Sequence, residues 1–362
     1  MSVALLLKLC KWLVIAPGEY YRPRSIYTVY IYFWRFLSVA SASFYVFGVL
    51  TDPSFEGLIF SVRILDSISI ALITASTLCT TWKCALATNI LQHLQLYDAK
   101  ENSRGVTLGL VLVHFIFIAT KIAGDASLSM SIGLLPGAKI VQYYIFRDIQ
   151  WYMQTIAVFL VTIIASKFKM MFEELNASLQ NPANKNDRVP DPILIARKRY
   201  NQLADLVDEF NDVFGTTILF SVLFTMAMAV LSIHKAIVFT LFIENDPGKL
   251  WIILASTFWT IVVTLQALVL AGCCSAMDKE ALKTEKICYS LLNDASVRFK
   301  KNTEDVYISE LSILAQLINC RRPSVSAAGF FKVNFEMMGF IATTVTSDTI
   351  VTLQCLIEST KM

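Results

Sequence analysis

The sequence predicts an all-α membrane protein with seven transmembrane helices, and three observations lead to this fold class. First, the 362 residues are 56% hydrophobic and only 16% charged, against about 25% charged in ordinary soluble domains. Second, the mean hydropathy of +0.58 describes the whole chain rather than one anchor segment. Third, Lys and Arg side chains concentrate in alternate connections between the apolar segments. Lipid must solvate so much apolar surface, so we expect most of the chain to lie in membrane spans.

A window of about 20 residues, the length that a helix needs to cross a bilayer, identifies the spans. They cover residues 30–50, 58–80, 106–128, 148–168, 212–241, 250–273 and 328–356. The apolar N-terminal run 3–15 carries Lys8 and Lys11 and no small-residue cleavage site follows it, so we expect an interfacial segment there rather than a signal peptide. We therefore predict a single seven-helix domain over residues 1–362.

The distribution of basic residues predicts the orientation of the chain. Most Lys and Arg residues outside the spans fall in the N-terminus and the even-numbered connections. The odd-numbered connections and the C-terminus hold only Lys139, Arg147, Lys235, Lys249 and Lys361. Basic loops stay in the cytoplasm, so we expect a cytoplasmic N-terminus and an extracellular C-terminus. This orientation is the reverse of that of a G-protein-coupled receptor.

The two long polar connections, 169–211 and 275–325, keep helical periodicity. Around the first of them, apolar residues recur at steps of three and four, namely Phe168, Met171, Phe172, Leu175 and Leu179. Such spacing predicts that spans four, five and six continue as helices below the membrane. Residues 181–191, with Pro182 and Pro190, form the clear break between two of these extensions.

Four stretches carry a family resemblance. Residues 172–179 and 203–215 are similar to the cytoplasmic stretches beside spans four and five of insect gustatory receptors, and residues 327–334 resemble the start of the last helix in that family. The family's signature in that helix is a Thr-Tyr pair, five hydrophobic residues and Gln-Phe. The aligned residues here are Ser347 and Asp348, residues 349–353, and then Gln354 and Cys355. Gln354 is retained, whereas Asp348 and Cys355 replace aromatic residues.

The resemblance implies a ligand-gated, non-selective cation channel, related to insect odorant receptors, in the plasma membrane of sensory neurons. Four subunits, identical or mixed with related receptors, would surround a pore lined by the last helix. The long connections would form a cytoplasmic anchor, and the tastant would bind among the outer halves of the other helices. Asp348 argues against a sugar receptor, so bitter compounds are our first expectation. No cofactor is implied; the partners are the tastant, permeant cations, membrane lipid and related subunits.

The last span carries a polar face. Steps of four, three and four residues place Thr343, Ser347, Ile350 and Gln354 on one side of a helix. Polar groups in a span must face protein or water, so this face either lines a pore or bonds to neighbouring helices. Asp348 is the unusual residue, because an intramembrane carboxylate has a function or a partner. It would attract cations near the outer pore mouth, or form an ion pair, or stay protonated.

Polar and aromatic residues in the other spans suggest a ligand pocket. Aromatic rings with a few polar groups suit a small molecule. The alternatives are an interfacial aromatic belt and, for the first two residues, a mutual ion pair. Met226 and Met228 are expected to pack in the protein interior. The predicted ligand-binding residues are Arg63, Asp66, His114, Lys121, Trp151, Tyr152, Gln154, His234 and Trp259.

Other classes of function have little support in the sequence. A net charge of +3 is too small to suggest a nucleic-acid partner. The three histidines, His93, His114 and His234, have no metal-ligand spacing, and no phosphate loop or nucleophile elbow is present. We therefore expect neither an enzyme nor a metal site.

Two alternative membrane functions stay open. A G-protein-coupled receptor would need the opposite orientation, and the chain lacks Asp-Arg-Tyr after span three and Asn-Pro-x-x-Tyr in span seven. A transporter would show uptake without ligand-gated current. The glycosylation sequon at Asn176 lies in the cytosol in the channel orientation and outside in the receptor orientation.

Overall fold

The computed structural model consists of long helices and one short hairpin. It describes residues 9–15, 26–51, 58–83, 86, 90–91, 109, 112, 114–115, 119, 146–180, 192–241, 249–298 and 305–359. The helices are α1 (Ile26–Thr51), α2 (Leu58–Lys83), α3 (Phe146–Gln180), α4 (Pro192–Leu241), α5 (Lys249–Arg298), α6 (Asp305–Cys320) and α7 (Phe335–Ser359). Strands β1 (Ser326–Ala327) and β2 (Phe331–Lys332) pair antiparallel between α6 and α7.

Six of the seven predicted spans overlap these helices. The first two spans lie in α1 and α2, the fourth to sixth lie in α3, α4 and α5, and most of the seventh lies in α7. The third span, 106–128, and the predicted break at 181–191 fall largely outside the described residues. Within the described parts of the chain, four helices are long and apolar enough to cross a membrane, over Val62–Lys83, Asp148–Gln180, Pro192–Val238 and Ser256–Asp294.

Helices α4 and α5 are much longer than a membrane requires. Each has 50 residues, which at 1.5 Å per residue is about 75 Å, against roughly 30 Å of hydrocarbon. Helix α3 likewise continues to Gln180, well beyond residue 168. The extra turns of the three helices pack together with α6. This region, made of the C-terminal part of α3, the N-terminal part of α4, the C-terminal part of α5 and all of α6, is the lower half of the molecule.

Buried aromatic side chains hold the lower half together. Phe168 packs edge-to-face on Phe210 with ring centroids 5.6 Å apart, and Phe172 packs on Tyr200 at 6.1 Å. All four side chains are almost completely buried. The three-and-four spacing in the sequence therefore marks the faces that α3 and α4 bury against each other.

Polar contacts join α4 to the segment that follows α6. Arg321 forms ion pairs of 2.6 Å with both Asp205 and Asp208. The hydrogen bonds to Asp208 and Asp205 raise the pKa of the Arg321 guanidinium above its usual value, so this link stays charged. Asn211 donates to the carbonyl of Ser324 at 2.8 Å and accepts from the backbone N–H of Ser326 at 2.9 Å. The chain leaving α6 is thereby fixed to α4.

Gly215 in α4 lets the β-hairpin approach closely. A Cβ at this position would lie 2.9 Å from the backbone nitrogen of Ala328 and 3.2 Å from the carbonyl oxygen of Ser326. The turn of the hairpin uses left-handed backbone at Ala328 (φ 51°) and Gly329 (φ 78°). The packing of the hairpin thus depends on the missing side chain at residue 215.

Helix α7 begins at Phe335, seven residues after the start of the predicted span at 328. The left-handed turn of the hairpin prevents a helix from starting earlier. Asn334 then caps α7, because its Oδ1 accepts hydrogen bonds from the N–H groups of Glu336 at 3.0 Å and Met337 at 3.3 Å. The stretch that resembles the family's last helix therefore forms a hairpin and an N-cap.

Candidate functional site

Helix α7 packs on the bundle with one face and leaves the other face open. Met337 and Ile341 are buried in the main core, and Val345 packs against it. On the opposite face, 51% of Ile350 is exposed. The three polar members of the predicted pore-lining set are also exposed, namely Thr343, Ser347 and Gln354. The predicted polar face is therefore the one that α7 turns away from its own bundle.

Asp348 lies on the other side of α7 from this polar face. Its Oδ2 is 3.2 Å from Nε2 of His234 in α4, and Oγ1 of Thr352 is 2.6 Å from the same nitrogen. The His234 side chain is only 11% exposed, whereas that of Asp348 is 44% exposed. The structure thus brings a predicted ligand-binding residue and a predicted pore residue together in a contact between α4 and α7.

A cavity lies between α2, α3, α4 and α5. It has about 510 Å³ of empty space, part of which is open to solvent. Trp151 and Trp259 stack in its wall with ring centroids 3.7 Å apart, and Phe224 meets Trp151 edge-on at 5.8 Å. The lining residues are Asp66, Ser69, Ile70, Ile73, Trp151, Phe224, Met228, Leu231, Ser232, Lys235, Ser256 and Trp259.

The cavity has an aromatic end and a polar end. Along α4, Phe224 comes first and Lys235 comes three turns later, beside Ser232. The hydroxyl of Ser232 donates to the carbonyl of Ser256 at 3.0 Å. The Asp66 carboxylate accepts a short hydrogen bond from the hydroxyl of Tyr45 in α1. The site can therefore hold an apolar group against the indole rings and a polar group near the carboxylate and the ammonium.

The remaining predicted ligand-binding residues lie elsewhere. Tyr152 points away from the cavity and forms a hydrogen bond with His114. Gln154 lines a second cavity of about 300 Å³ that shares Phe224 with the first, and it bonds to Ser221 and, at 2.5 Å, to Ser76.

Arg63 is another predicted residue that is not part of the cavity lining. Arg63 is half-buried on α2, about one turn before Asp66. Lys121 is outside the described residues.

Sequence reasoning missed several residues that line the cavity. Met228 was expected to pack, and Phe224, Ser232 and Ser256 gave no separate signal. A four-residue step along α4 would have found part of the set, because Phe224, Met228 and Ser232 follow one helix face. The cavity thus takes more residues from α4 than from the other helices.

One turn of α4 serves both features. Leu231, Ser232 and Lys235 line the cavity, while His234 between them contacts Asp348 and Thr352 of α7. A change in the position of this turn would move both the cavity wall and the support of α7.

The comparisons with known proteins agree with this architecture. A family model described as the seven-transmembrane chemosensory receptors matches residues 4–358. The chain belongs to this family. The resemblance noted in the sequence is confirmed at this level, and the family is one of receptors, not enzymes. A search of curated proteins gives no match.

Two solved structures resemble the receptor in fold. Both are the insect olfactory receptor OR5 from Machilis hrabei. The structure in complex with eugenol has a TM-score of 0.69 at 11% identity, covering 97% of this chain and 98% of that chain. The other has a TM-score of 0.60 at 14% identity, covering 98% of both chains. The seven-transmembrane all-α fold class is confirmed.

Proposed function

We propose that this chemosensory receptor is a gustatory receptor subunit of a ligand-gated cation channel. The observation that carries the proposal is the polar, exposed face of α7 opposite its packed face. An unpaired polar face of a membrane helix costs several kcal/mol per group in lipid. A water-filled axis shared by several subunits removes this cost.

In a fourfold assembly, the exposed face of α7 forms rings around the axis. Thr343 and Ser347 supply hydroxyls, Ile350 supplies an apolar constriction and Gln354 supplies amides. Neutral oxygen ligands suit partly hydrated cations. Asp348 contributes negative charge from behind this face, because His234 holds its carboxylate toward α4. The assembly is a homotetramer or a heteromer with related receptors.

The basic residues orient the channel. With the N-terminus in the cytoplasm and the C-terminus outside, the extensions of α3, α4 and α5 lie in the cytoplasm and form the anchor, over residues 169–211 and 275–325. Asp66, Trp151, Lys235 and Ser256 all lie within about two turns of the opposite helix ends. The cavity is then in the outer half of the membrane and accepts a ligand from outside.

The ligand is a small organic molecule. The cavity combines stacked indoles with a few polar groups, and the olfactory receptor of similar fold was solved in complex with eugenol. The C-terminal resemblance to gustatory receptors supports a tastant, with bitter compounds as the first class to test. The receptor then acts in the plasma membrane of sensory neurons.

Cysteine modification tests the pore assignment. With an agonist from a bitter-compound panel, a positively charged thiosulfonate reagent should block most of the current of Ser347→Cys, whose side chain faces the axis. Val345→Cys is the matched control, because it lies on the packed face of the same helix. Patch-clamp recording measures the rate of block against that of the unsubstituted receptor. Equal rates for the two variants would contradict a pore lined by the Ser347 face.

Substitution of Trp259 tests the cavity. Trp259→Ala should raise the half-maximal agonist concentration by roughly 30-fold, because a buried aromatic anchor contributes about 2 kcal/mol to binding. Leu254→Ala on the same helix is the control, since Leu254 is 50% exposed on the outside of the bundle. Concentration–response curves give the half-maximal agonist concentration of each variant. A similar small shift for both variants would place the ligand elsewhere.

A further inference from the structure

An arginine bonded to threonine oxygens lies on the outer surface of the bundle. Arg35 is in α1, within the predicted span 30–50, and is partly exposed. Its Nη2 donates to the carbonyl of Thr81 at 2.7 Å, and its Nε donates to the hydroxyl of Thr81 at 3.3 Å. Among the described residues no carboxylate forms an ion pair with it. A charge in a membrane helix needs polar partners, and the Thr81 oxygens use only part of the guanidinium.

The contact with Thr81 fixes the depth of Arg35. Thr81 is two residues from the end of α2 at Lys83, which is the end that faces the cytoplasm in the proposed orientation. Arg35 lies nine residues inside α1, so α1 extends about 13 Å beyond that level. The guanidinium is therefore near the boundary between hydrocarbon and lipid headgroups, not at the centre of the membrane.

Two exposed aromatic rings flank the guanidinium. Its central carbon is 5.4 Å from the ring centroid of Tyr32 and 5.1 Å from that of Trp82. These rings are 62% and 74% exposed, and exposed Tyr and Trp side chains are typical of the headgroup level of a bilayer. Two of the five N–H donors of Arg35 are used by Thr81, so the others are available to an anion.

A second cation lies at the same end of α2, two residues after Thr81. Lys83 donates its ammonium to the backbone carbonyl of Asp212 at 2.5 Å, and in the described part of the chain it forms no ion pair with a carboxylate. Arg35 and Lys83 thus place two positive charges at the same end of α2. Within the described ranges, both are bonded to neutral oxygens.

We propose that Arg35 and the rings of Tyr32 and Trp82 form a binding site for an anionic phospholipid of the cytoplasmic leaflet, with Lys83 as a second positive charge at the same end of α2. The phosphate accepts the remaining guanidinium donors, and Lys83 attracts the extra negative charge of the headgroup. Exposed apolar side chains continue up the same face of α1 through Phe36 and Val39, where an acyl chain lies. The inference rests on the membrane placement given above, not on ligand gating.

Competitive lipid binding tests this site. The full-length receptor, purified without agonist, is incubated in detergent with equal amounts of phosphatidylserine and phosphatidylcholine, and native mass spectrometry measures the bound ratio. The unsubstituted receptor should prefer phosphatidylserine. Arg35→Gln and Lys83→Gln should each lower that preference about fivefold, and together more, as expected for loss of surface charges near anionic lipid.

Three comparisons make the result decisive. Arg35→Lys keeps the charge and should keep most of the preference. Lys198→Gln removes an exposed cation from the extension of α4 and should change nothing. If Arg35→Gln yields no folded protein, the ratio of the two lipids bound to Lys83→Gln tests the site. An unchanged lipid ratio in the two glutamine variants, or an equal loss in Lys198→Gln, would overturn the site while leaving the channel proposal intact.

Discussion

His234 joins the cavity-lining turn of α4 to α7 by polar contacts. It lies in the α4 turn that lines the cavity, and its Nε2 contacts both Asp348 and Thr352. A single imidazole therefore connects the wall of the ligand cavity to the helix that we assign to the pore. If a ligand favours one position of this turn, it also favours one position of α7.

A mutant cycle tests this connection. His234→Ala and Asp348→Asn should shift the half-maximal agonist concentration in the same direction by about fivefold each, as expected for a partly exposed polar contact. The double variant should shift little further, because either change removes the same contact. Concentration–response curves from patch-clamp recording give the half-maximal agonist concentration of each variant.

Two threonines of α7 provide the matched control for that cycle. Thr352→Ala removes a contact to His234, whereas the Thr349 hydroxyl donates to the carbonyl of Val345 in its own helix and forms no hydrogen bond to another helix among the described residues. We expect a shift for the first and none for the second. Strictly additive effects of His234→Ala and Asp348→Asn would show that the two residues act independently.

The contact partner of the Asp348 side chain could not be predicted from the sequence. Local periodicity shows which residues share a helix face, and Thr343, Ser347 and Gln354, which it groups together, are exposed in the structure. It does not show which partner meets the opposite face. The partner of Asp348 is 114 residues earlier in the chain, and such a contact depends on how two helices pack.

At the scale of the elements, the junction between α4 and the β-hairpin is the tightest. Gly215→Ala should destabilise the receptor by about 1–3 kcal/mol, the usual cost of inserting a methyl group into a packed site. The added Cβ would lie 2.9 Å from the Ala328 nitrogen. Thermal unfolding of the purified receptor and its yield at the cell surface measure the effect.

Gly339→Ala is the control for that substitution. A Cβ at this α7 position has nothing within 4 Å, and alanine favours helix over glycine. We expect equal or slightly higher stability. A Gly215→Ala variant as stable as Gly339→Ala would show that the hairpin is able to move away from α4.

The long helices were predictable, and the hairpin was not. Helices α3 to α5 repeat apolar residues over many turns, and this periodicity gives a strong signal. The strands of the hairpin have two residues each, which is too short for an alternating pattern. Ala328 also adopts a left-handed conformation that its residue type does not suggest. Packing on Gly215 decides the structure there.

For the whole molecule, the orientation in the membrane is the main prediction. An epitope added after Met362 should be stained on intact cells, and one added before Met1 should be stained only after permeabilisation. The reason is the excess of basic residues on the side of the N-terminus. Immunofluorescence with both tags measures which side of the membrane each terminus is on. The opposite pattern would favour a receptor of the G-protein-coupled orientation.

Asn176 no longer serves as an independent test of orientation. Its side chain is buried, and its Nδ2 donates to the carbonyl of Glu280 at 3.0 Å. A glycan on this nitrogen would break the packing of α3 on α5. We expect no glycan on either side of the membrane, so the terminal tags are the deciding measurement.

The shared turn of α4 also limits how the receptor changes over time. If the receptor is the channel proposed above, we expect substitutions that adapt Ser232 or Lys235 to a new compound to displace the backbone that carries His234, and so to alter how often the channel opens with nothing bound. The range of ligands and the current that flows without a ligand are then expected to change together. We expect variants with altered chemical tuning to acquire compensating changes in α7, at residues that touch no ligand.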